Sequence, residues 1–518
     1  MKIKNLIKSI NSLAFMGDMD LQVNGLCYDS RQVKTGDLFV AIKGFKSDGH
    51  QFLGDALKRG ACALIIEDKR VWDDPVIKDW AEKGISLCLV SNSRLALALM
   101  ADKFYEHPSK HMHLIGVTGT NGKTTTCNLI SSILEAAGER IGWITTLDYR
   151  IDKDVFQSDR TTPESLDLQR ILHQMVNAGC EWAIVEVSSH SLVLDRVTGC
   201  SFDAAILTNI TQDHLDFHNT QDNYRRAKAK LFEMMEDEPE GSFINKVAVF
   251  NMDDHASREI LELKRTKFPE RSLTITYGIM NEADVTAKDI QERIDGISFK
   301  AVTPWGIHFI TSPLMGRPNI YNILAALCLT MGFGIEIGDI QKGIHAMTGV
   351  SGRFERIIQG QDFDVIIDYA HTDDALSNLL SVVRTQTSGR IICVFGCGGD
   401  RDRTKRPLMG KAAARGSDWS IITSDNPRGE EPDRIIREIE LGFLQEDSEG
   451  RYEVCIDRKE AIYRAVKMAK PGDMVVITGK GHEKTQMIGT KVIPFDDHEV
   501  VRDAINDLII RDIGSQTL

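Results

Sequence analysis

The run Gly116-Val-Thr-Gly-Thr-Asn-Gly-Lys-Thr-Thr125 sets a lysine and hydroxyls directly behind two glycines. Entered from a strand and left into a helix, such a loop turns backbone amides and a helix N-terminus toward an anion. Lys123 would then bring a cation to the β- and γ-phosphates of a nucleotide, and Thr124 a hydroxyl oxygen to Mg²⁺. The spacing misses the strict Gly-x4-Gly-Lys-Ser/Thr pattern by one position, because Val117 stands where the first glycine would fall. The order strand, loop, Lys-Thr, helix still favours phosphate binding over a bare glycine-rich turn.

Two further groups join this chemistry. Glu186 ends an apolar run in Val185-Glu-Val-Ser-Ser-His190, and His214 follows another in Thr208-Asn-Ile-Thr-Gln-Asp-His-Leu-Asp216. A buried acid is costly unless it meets a cation. Alone, each residue reads equally well as a core acid in a salt bridge or a satisfied histidine. At the carboxyl edge of neighbouring parallel strands, beside a phosphate loop, they read as Mg²⁺ ligands. Lys228, in Tyr224-Arg-Arg-Ala-Lys-Ala-Lys230, reads from its neighbours as a helix-surface lysine. Asp425-Asn-Pro-Arg428 by itself is a turn ahead of a helix.

The elements that must position these groups alternate. Apolar runs at 113–118, 183–187, 204–208 and 247–250 are split by helical stretches, one spanning 123–137 and stopped by Gly138. Such alternation predicts a parallel sheet covered by helices. Runs at 37–43 and 61–66 predict a smaller α/β unit before a linker at His107-Pro-Ser109. A fresh rhythm with strands at 365–367, 391–395, 419–423 and 474–477 starts after residue 351, and its helix at 405–415 is expected to stop at Gly416. The acidic stretch 233–241 reads as a solvated loop or helix end. The expected fold is therefore α/β with three domains, at 1–107, 108–348 and 349–518, in a chain of 518 residues.

Composition narrows the function classes. A net charge of −13 makes the chain a poor generic binder of nucleic acid or anionic membrane. No run approaches the ~20 apolar residues of a membrane span. The ten cysteines are scattered without a Cys-x-x-Cys pair, which suits reduced, buried thiols in a cytosolic protein. No Ser-His-Asp arrangement for nucleophilic catalysis stands out.

Gly119-Thr-Asn-Gly-Lys-Thr124 resembles the loop of the ATP-dependent Mur ligases and their folylpolyglutamate synthase relatives. The resemblance extends over nearly the whole chain. It implies a central P-loop ATPase domain with a mainly parallel sheet and a Rossmann-like C-terminal domain. ATP is expected at Gly119, Thr120, Asn121, Gly122, Lys123, Thr124 and Thr125, with Asn319 and Asn322 bordering the adenine and Arg353 and Asp368 at the γ-phosphate and ribose. Family members carry a lysine in an Ala-Lys step that becomes carbamylated and binds a second Mg²⁺. Lys228 after Ala227 matches it better than Lys230 does. Lys123, Glu186, His214 and Lys228 are thus the expected catalytic group, with Thr124, Glu186, His214 and carbamylated Lys228 on metal.

Tyr28-Asp-Ser-Arg31 and the Phe45-Lys46-Ser47 loop are similar to the family's uridine-nucleotide domain, giving Ser30, Phe45, Lys46 and Ser47 as contacts. Thr161, Thr162, Ser188 and Arg196 match the segment holding a UDP-MurNAc-dipeptide. The Asp425, Asn426, Pro427, Arg428 tetrapeptide accompanies meso-diaminopimelate in this family, and a guanidinium suits its distal carboxylate. Lysine lacks that group and would leave Arg428 unpaired. Arg401, Gly479 and Glu483 match the remaining amino-acid contacts, Glu483 suiting the distal ammonium. The implied reaction is ATP-dependent addition of diaminopimelate to UDP-MurNAc-L-Ala-D-Glu through an acyl phosphate, with lysine addition or a folylpolyglutamate synthase-like reaction as alternatives. A monomer is expected, with closure about a hinge near 350–352. Asp373 stands where the family usually has proline after His371-Thr372.

Overall fold

In the computed structural model the chain is described except for residues 46, 159, 237–245, 269–270, 294–295, 448–449 and 517–518. Three separate α/β sheets follow one another along it. The first has five strands in the order Ser12–Met16, Ser86–Val90, Ala63–Ile66, Asp37–Val40, Gly25–Cys27. All its pairings are parallel except that of Ser12–Met16. The run expected to stay extended to residue 43 leaves the sheet at Val40.

The central sheet has eleven strands. Its heart is parallel, in the order Leu273–Gly278, Val247–Asn251, Ala204–Leu207, His113–Thr118, Trp182–Glu186, Ile141–Ile144. These strands read as continuous apolar runs because helices cover both faces. On one face Ile115, Val117, Ile184 and Ile206 pack under the helices Lys123–Ala136 and Arg317–Gly332, while Leu114, Ala183, Val185 and Ala205 pack on the other. The strand Val285–Arg293 adds to Leu273–Gly278 in parallel, and antiparallel pairing then closes each side: the hairpin Asp148–Ile151/Asp154–Gln157 on one, and Gly296–Thr303 and Gly306–Ser312 beyond Val285–Arg293 on the other.

The third sheet runs Glu355–Ile357, Asp364–Asp368, Met474–Thr478, Ile391–Phe395, Trp419–Thr423, Tyr452–Cys455, parallel except at its first strand. A two-stranded hairpin, Thr485–Ile488/Lys491–Pro494, lies apart from it. Gly416 is the last residue of the helix Lys405–Gly416 rather than its left-handed stop; its surroundings explain this, since a Cβ there would fall 2.7 Å from the Leu380 side chain. The acidic stretch ends the helix Gln221–Glu236 as expected, but it is not solvated throughout: Glu236 is buried and pairs with Lys264 at 3.1 Å, and 237–241 lies outside the described residues.

The segment expected as a linker is packed. His107 takes a left-handed conformation (φ 55°), and Pro108 and Ser109 in the turn Pro108–Lys110 are buried, Ser109 Oγ accepting the Ser201 amide at 3.0 Å. The first and central sheets are also joined by Tyr28 Oη to Asp167 at 2.7 Å and by the Arg94–Glu164 ion pair. None of the described helices is long and apolar enough to cross a membrane.

Beneath the third sheet, Arg458 and Asp497 pair at 2.7 Å with neither side chain exposed. Arg458 also donates to the Thr478 carbonyl. Removing one partner would leave a buried charge uncompensated. Asp497→Ala should therefore cost roughly 3–5 kcal/mol, seen as an earlier urea unfolding transition of this C-terminal sheet. A transition at the wild-type midpoint would contradict that.

Candidate active site

The phosphate loop sits where the central strand His113–Thr118 meets the helix Lys123–Ala136. Its sharp reversal needs glycine at Gly122 (φ 84°), where a Cβ would also lie 2.3 Å from Asn322 Oδ1. Thr120 and Asn121 are tied to the next strand's exit through Asn209, at 2.8 Å and 2.9 Å. The loop is thus braced on two sides before any ligand arrives.

Trp182–Glu186 is the neighbouring strand, so register carries Glu186 to the same carboxyl edge. Its carboxylate is 2 % exposed. It accepts the Thr124 hydroxyl at 3.0 Å, the Thr146 amide at 3.1 Å and the Thr146 hydroxyl at 3.1 Å, with Lys123 Nζ at 4.0 Å. Lys123 itself donates to the carbonyls of Gly119 and Thr120. Burial lowers its pKa, and Glu186 opposes the shift.

Lys228 is not on a helix surface. Its side chain is buried at 1 % exposure, donates to the Gly119 carbonyl at 2.6 Å and lies 4.6 Å over the Tyr224 ring. The polar run Tyr224–Lys230 concealed this, because that helix packs its Tyr224/Ala227/Lys228/Leu231 stripe inward. Burial, reinforced by Lys123, pushes the Lys228 amine well below the ordinary lysine range. Lys230 carries no comparable burial. His214, left-handed at φ 54°, lies 3.3 Å from Asp213, and burial pushes its ring down to about 3.

These groups open into one cleft of about 760 Å³ that also takes in Thr161, Ser188, Asn319, Asn322, Arg353 and Asp368. Asn322 donates to Asn319 at 3.0 Å, so the two amides share a helix face as their spacing requires. Asp368 accepts the amides of Phe354 and Ala370, and burial raises its carboxyl. Arg353 lies 4.4 Å over the Tyr369 ring. Near the expected hinge, Gly352 donates to Glu355 at 2.7 Å. Asp373 opens the helix Asp373–Gln386 behind the N-cap Thr372, a position that suits an acid as well as the family's proline.

Other expected residues lie outside the cleft. Thr162 donates to the Glu186 carbonyl and contacts Ser188, while Arg196 donates to the Thr162 carbonyl and pairs with Glu164 at 2.9 Å. Ser30 is half-buried in a short turn. Phe45 is 76 % exposed, its ring 5.9 Å from that of Phe217, and Ser47 accepts the Gly44 amide. Lys46 lies outside the described residues.

The residues expected to contact the amino acid gather at the carboxyl edge of the third sheet. Arg428, at φ 50°, donates to the Gly399 carbonyl at 2.9 Å and has no carboxylate within ion-pair distance among the described residues. Arg401 donates to the Asp400 carbonyl and, among the described residues, makes no ion pair. Gly479 needs its positive φ of 107°, and a Cβ there would approach Asp425 Oδ2 at 2.9 Å. Glu483 accepts from Asn426 at 2.8 Å and from Lys480 at 2.9 Å. Asp425 Oδ1 is buried without a hydrogen bond, and the Pro427 carbonyl lies against Gly399.

Sequence reasoning missed several groups around these sites. Thr146 follows the strand Ile141–Ile144 at the shared carboxyl edge, the one cue that could have exposed it. Asp213 stands beside His214, but its approach to His371 at 3.8 Å joins distant segments. Asn121 donates across to Asp374 at 3.1 Å, and Gln212 to Thr404 at 3.0 Å, linking the phosphate loop side to the C-terminal unit.

A strand–loop–helix phosphate cradle facing a second α/β unit defines a nucleotide-dependent group-transfer enzyme. Comparison with known proteins specifies it. The chain matches the Mur ligase middle domain over residues 117–330, the Mur ligase glutamate ligase domain over 352–481 and the Mur ligase family catalytic domain over 22–105. It is 42% identical to the UDP-N-acetylmuramoyl-L-alanyl-D-glutamate–2,6-diaminopimelate ligase of Bacillus licheniformis, covering 98% of this chain and 100% of that one. The enzyme of the same name from Syntrophomonas wolfei is 43% identical, over 98% and 99%. A solved structure of a ligase with that name superposes with a TM-score of 0.65 at 32% identity, covering 98% of this chain and 99% of that one. The MurF structure from Acinetobacter baumannii shares the fold, with a TM-score of 0.65 at 20% identity over 92% and 95%. This chain belongs to the Mur ligase family and is an ATP-dependent ligase.

Gly122→Ala should weaken ATP binding by at least about tenfold through the strained φ and the collision with Asn322. Titration calorimetry with a non-hydrolysable ATP analogue reads this directly. Wild-type affinity in the folded variant would show that the loop does not need this conformation.

Proposed function

We propose that this ligase joins meso-2,6-diaminopimelate to UDP-N-acetylmuramoyl-L-alanyl-D-glutamate, in peptidoglycan precursor synthesis. The observation that carries the choice of amino acid is the Arg428 guanidinium, half-buried within the electrostatic reach of Glu483 and without a carboxylate at ion-pair distance among the described residues. A substrate end bearing both a carboxylate and an ammonium complements that pair, whereas lysine offers the ammonium only. The names of the 42–43% identical relatives agree with it.

In this reading an oxygen of the D-glutamate side-chain carboxylate attacks the ATP γ-phosphorus, and ADP leaves. The diaminopimelate amine then attacks the acyl phosphate carbon, the tetrahedral adduct expels phosphate, and the nitrogen loses a proton to give the amide. No protein nucleophile takes part. Lys123 and the loop amides hold the phosphates, and Arg353 faces the same cleft. Thr161, Thr162, Ser188 and Arg196 would present the dipeptide, with Ser30, Phe45, Lys46 and Ser47 holding the uridine nucleotide. The units 1–107, 108–348 and 349–518 would thus each bring one substrate.

The donor set suits Mg²⁺. Among the described residues no three His, Cys, Asp or Glu side chains converge on a metal point. Oxygens of Thr124 and Glu186 beside the phosphate loop match the sparse protein ligation Mg²⁺ takes when phosphates complete its shell. Bound there, Mg²⁺ would offset the charge developing on the phosphoryl oxygens. Lys228 would join His214 as a ligand after its amine adds to CO₂ and loses a proton, forming a carbamate. Its burial at Gly119 favours the neutral amine that this addition needs. All ten cysteines are free, which accords with a reducing cytoplasm, and we propose a monomer.

Phosphate release should require the nucleotide dipeptide and diaminopimelate together, and L-lysine should support it poorly. Arg428→Met should raise KM for diaminopimelate by about tenfold or more, the loss of one charge-assisted contact. Preference for lysine in the wild type would overturn the assignment. Separately, Lys228→Ala should be inactive and regain part of its turnover with added short-chain carboxylic acids. Full activity without them would exclude the carbamate.

A further inference from the structure

Lys480 lies within Gly479-Lys-Gly-His-Glu483, and no step above uses it. Its side chain is completely buried. Taking an ammonium out of water costs several kcal/mol unless acids and hydrogen bonds meet it. Here Nζ reaches Glu483 Oε2 at 2.9 Å and Asn426 Oδ1 at 3.4 Å, with Asp425 Oδ1 at 3.9 Å. All three partners belong to the amino-acid site.

The contacts divide the Glu483 carboxylate. Oε2 is held from two sides, by Lys480 and by the Asn426 amide. No donor among the described residues reaches Oε1, and the side chain keeps 30 % of its surface exposed. One oxygen is anchored in the protein while the other has no protein donor and belongs to a side chain that is still partly exposed. Although burial disfavours the charged form, Lys480 holds the Glu483 carboxyl below its ordinary range. The Asn426 side chain is itself oriented, its Oδ1 accepting the Met487 amide at 2.9 Å.

We propose that Lys480 is a positioning residue that sets specificity for the distal ammonium of the amino-acid substrate, by fixing Glu483 Oε2 and presenting Oε1. This rests on the reading of Glu483 as part of the diaminopimelate site. Without Lys480, Glu483 would keep only a neutral amide donor and would lose its fixed rotamer. Arg458 does not substitute, since its hydrogen bonds go to Asp497 and to the Thr478 carbonyl and none reaches Glu483.

The test uses the full-length enzyme with two substrates: diaminopimelate and 2-aminopimelate, which keeps both carboxylates but lacks the distal ammonium. Wild-type turnover of diaminopimelate comes first, because its failure would sink the site assignment rather than the role of Lys480. Lys480→Met should then raise KM for diaminopimelate by about tenfold, the scale of one hydrogen bond to a charged group. KM for 2-aminopimelate, KM for ATP and kcat should stay at wild-type values, so the preference for the ammonium-bearing substrate collapses. An unchanged KM for diaminopimelate, or equal losses with both substrates, would overturn the proposal. If Lys480→Met does not fold, Lys480→Gln is compared in the same way. Failure of both variants to fold would assign Lys480 to stability instead.

Discussion

The buried carboxylate of Glu186 is the constraint around which the central unit is arranged. An acid at 2 % exposure is tolerable only if donors surround it. They come from two chain segments: Lys123 and Thr124, adjacent at the start of the helix that follows the phosphate loop, and Thr146 after a neighbouring strand. Because both meet at Glu186, the loop, the sheet edge and the segment after Ile141–Ile144 cannot move independently. A site built this way is pre-shaped for polyphosphate before ligand arrives, which is how positioning and electrostatics act without a protein nucleophile.

The C-terminal unit shows the same economy at a second edge. Asp425, Asn426 and Arg428 are held by backbone and amide contacts from the hairpin Thr485–Ile488/Lys491–Pro494: Gln486 donates to the Asp425 carbonyl, Met487 to Asn426, and Arg428 to the Met487 carbonyl. The guanidinium is therefore placed by backbone geometry, with no acid at ion-pair distance among the described residues. Between the two edges run a few polar contacts, Asn121 to Asp374 and Gln212 to Thr404, on neutral or singly charged groups. Contacts of that kind are weak enough to break and remake as substrates enter and leave.

How far the sequence could be read depended on whether a residue's role was local. The phosphate loop was legible because glycine placement, a following lysine and a helix start lie within ten residues. The parallel sheets were legible because strands buried on both faces become unbroken apolar runs. Lys228 was legible only by resemblance, since its neighbours Arg225, Arg226 and Lys230 make the segment look solvated. Thr146 and His371 were not singled out, because their partners lie 40 and 158 residues away in Glu186 and Asp213; Lys480 was passed over although Glu483 is three residues on, because nothing local says that its side chain is buried. The tight packing at Pro108–Lys110 was misjudged for a related reason: proline and serine mark a turn, and nothing local says whether that turn is buried.

By itself the sequence determined the groups on offer: a glycine-rich loop between a strand and a Lys-Thr helix start, carboxylate and hydroxyl oxygens, and an Asp-Asn-Pro-Arg turn with a guanidinium. It determined these because backbone conformation and side-chain type are local properties. The tertiary structure decided which groups meet, which are buried and which remain unpaired. Burial turned Lys228 from a surface cation into an enclosed amine, and packing left Arg428 without an acid while giving one to Lys480. Those outcomes follow from desolvation and distance, and both arise only when segments far apart in the chain are brought together.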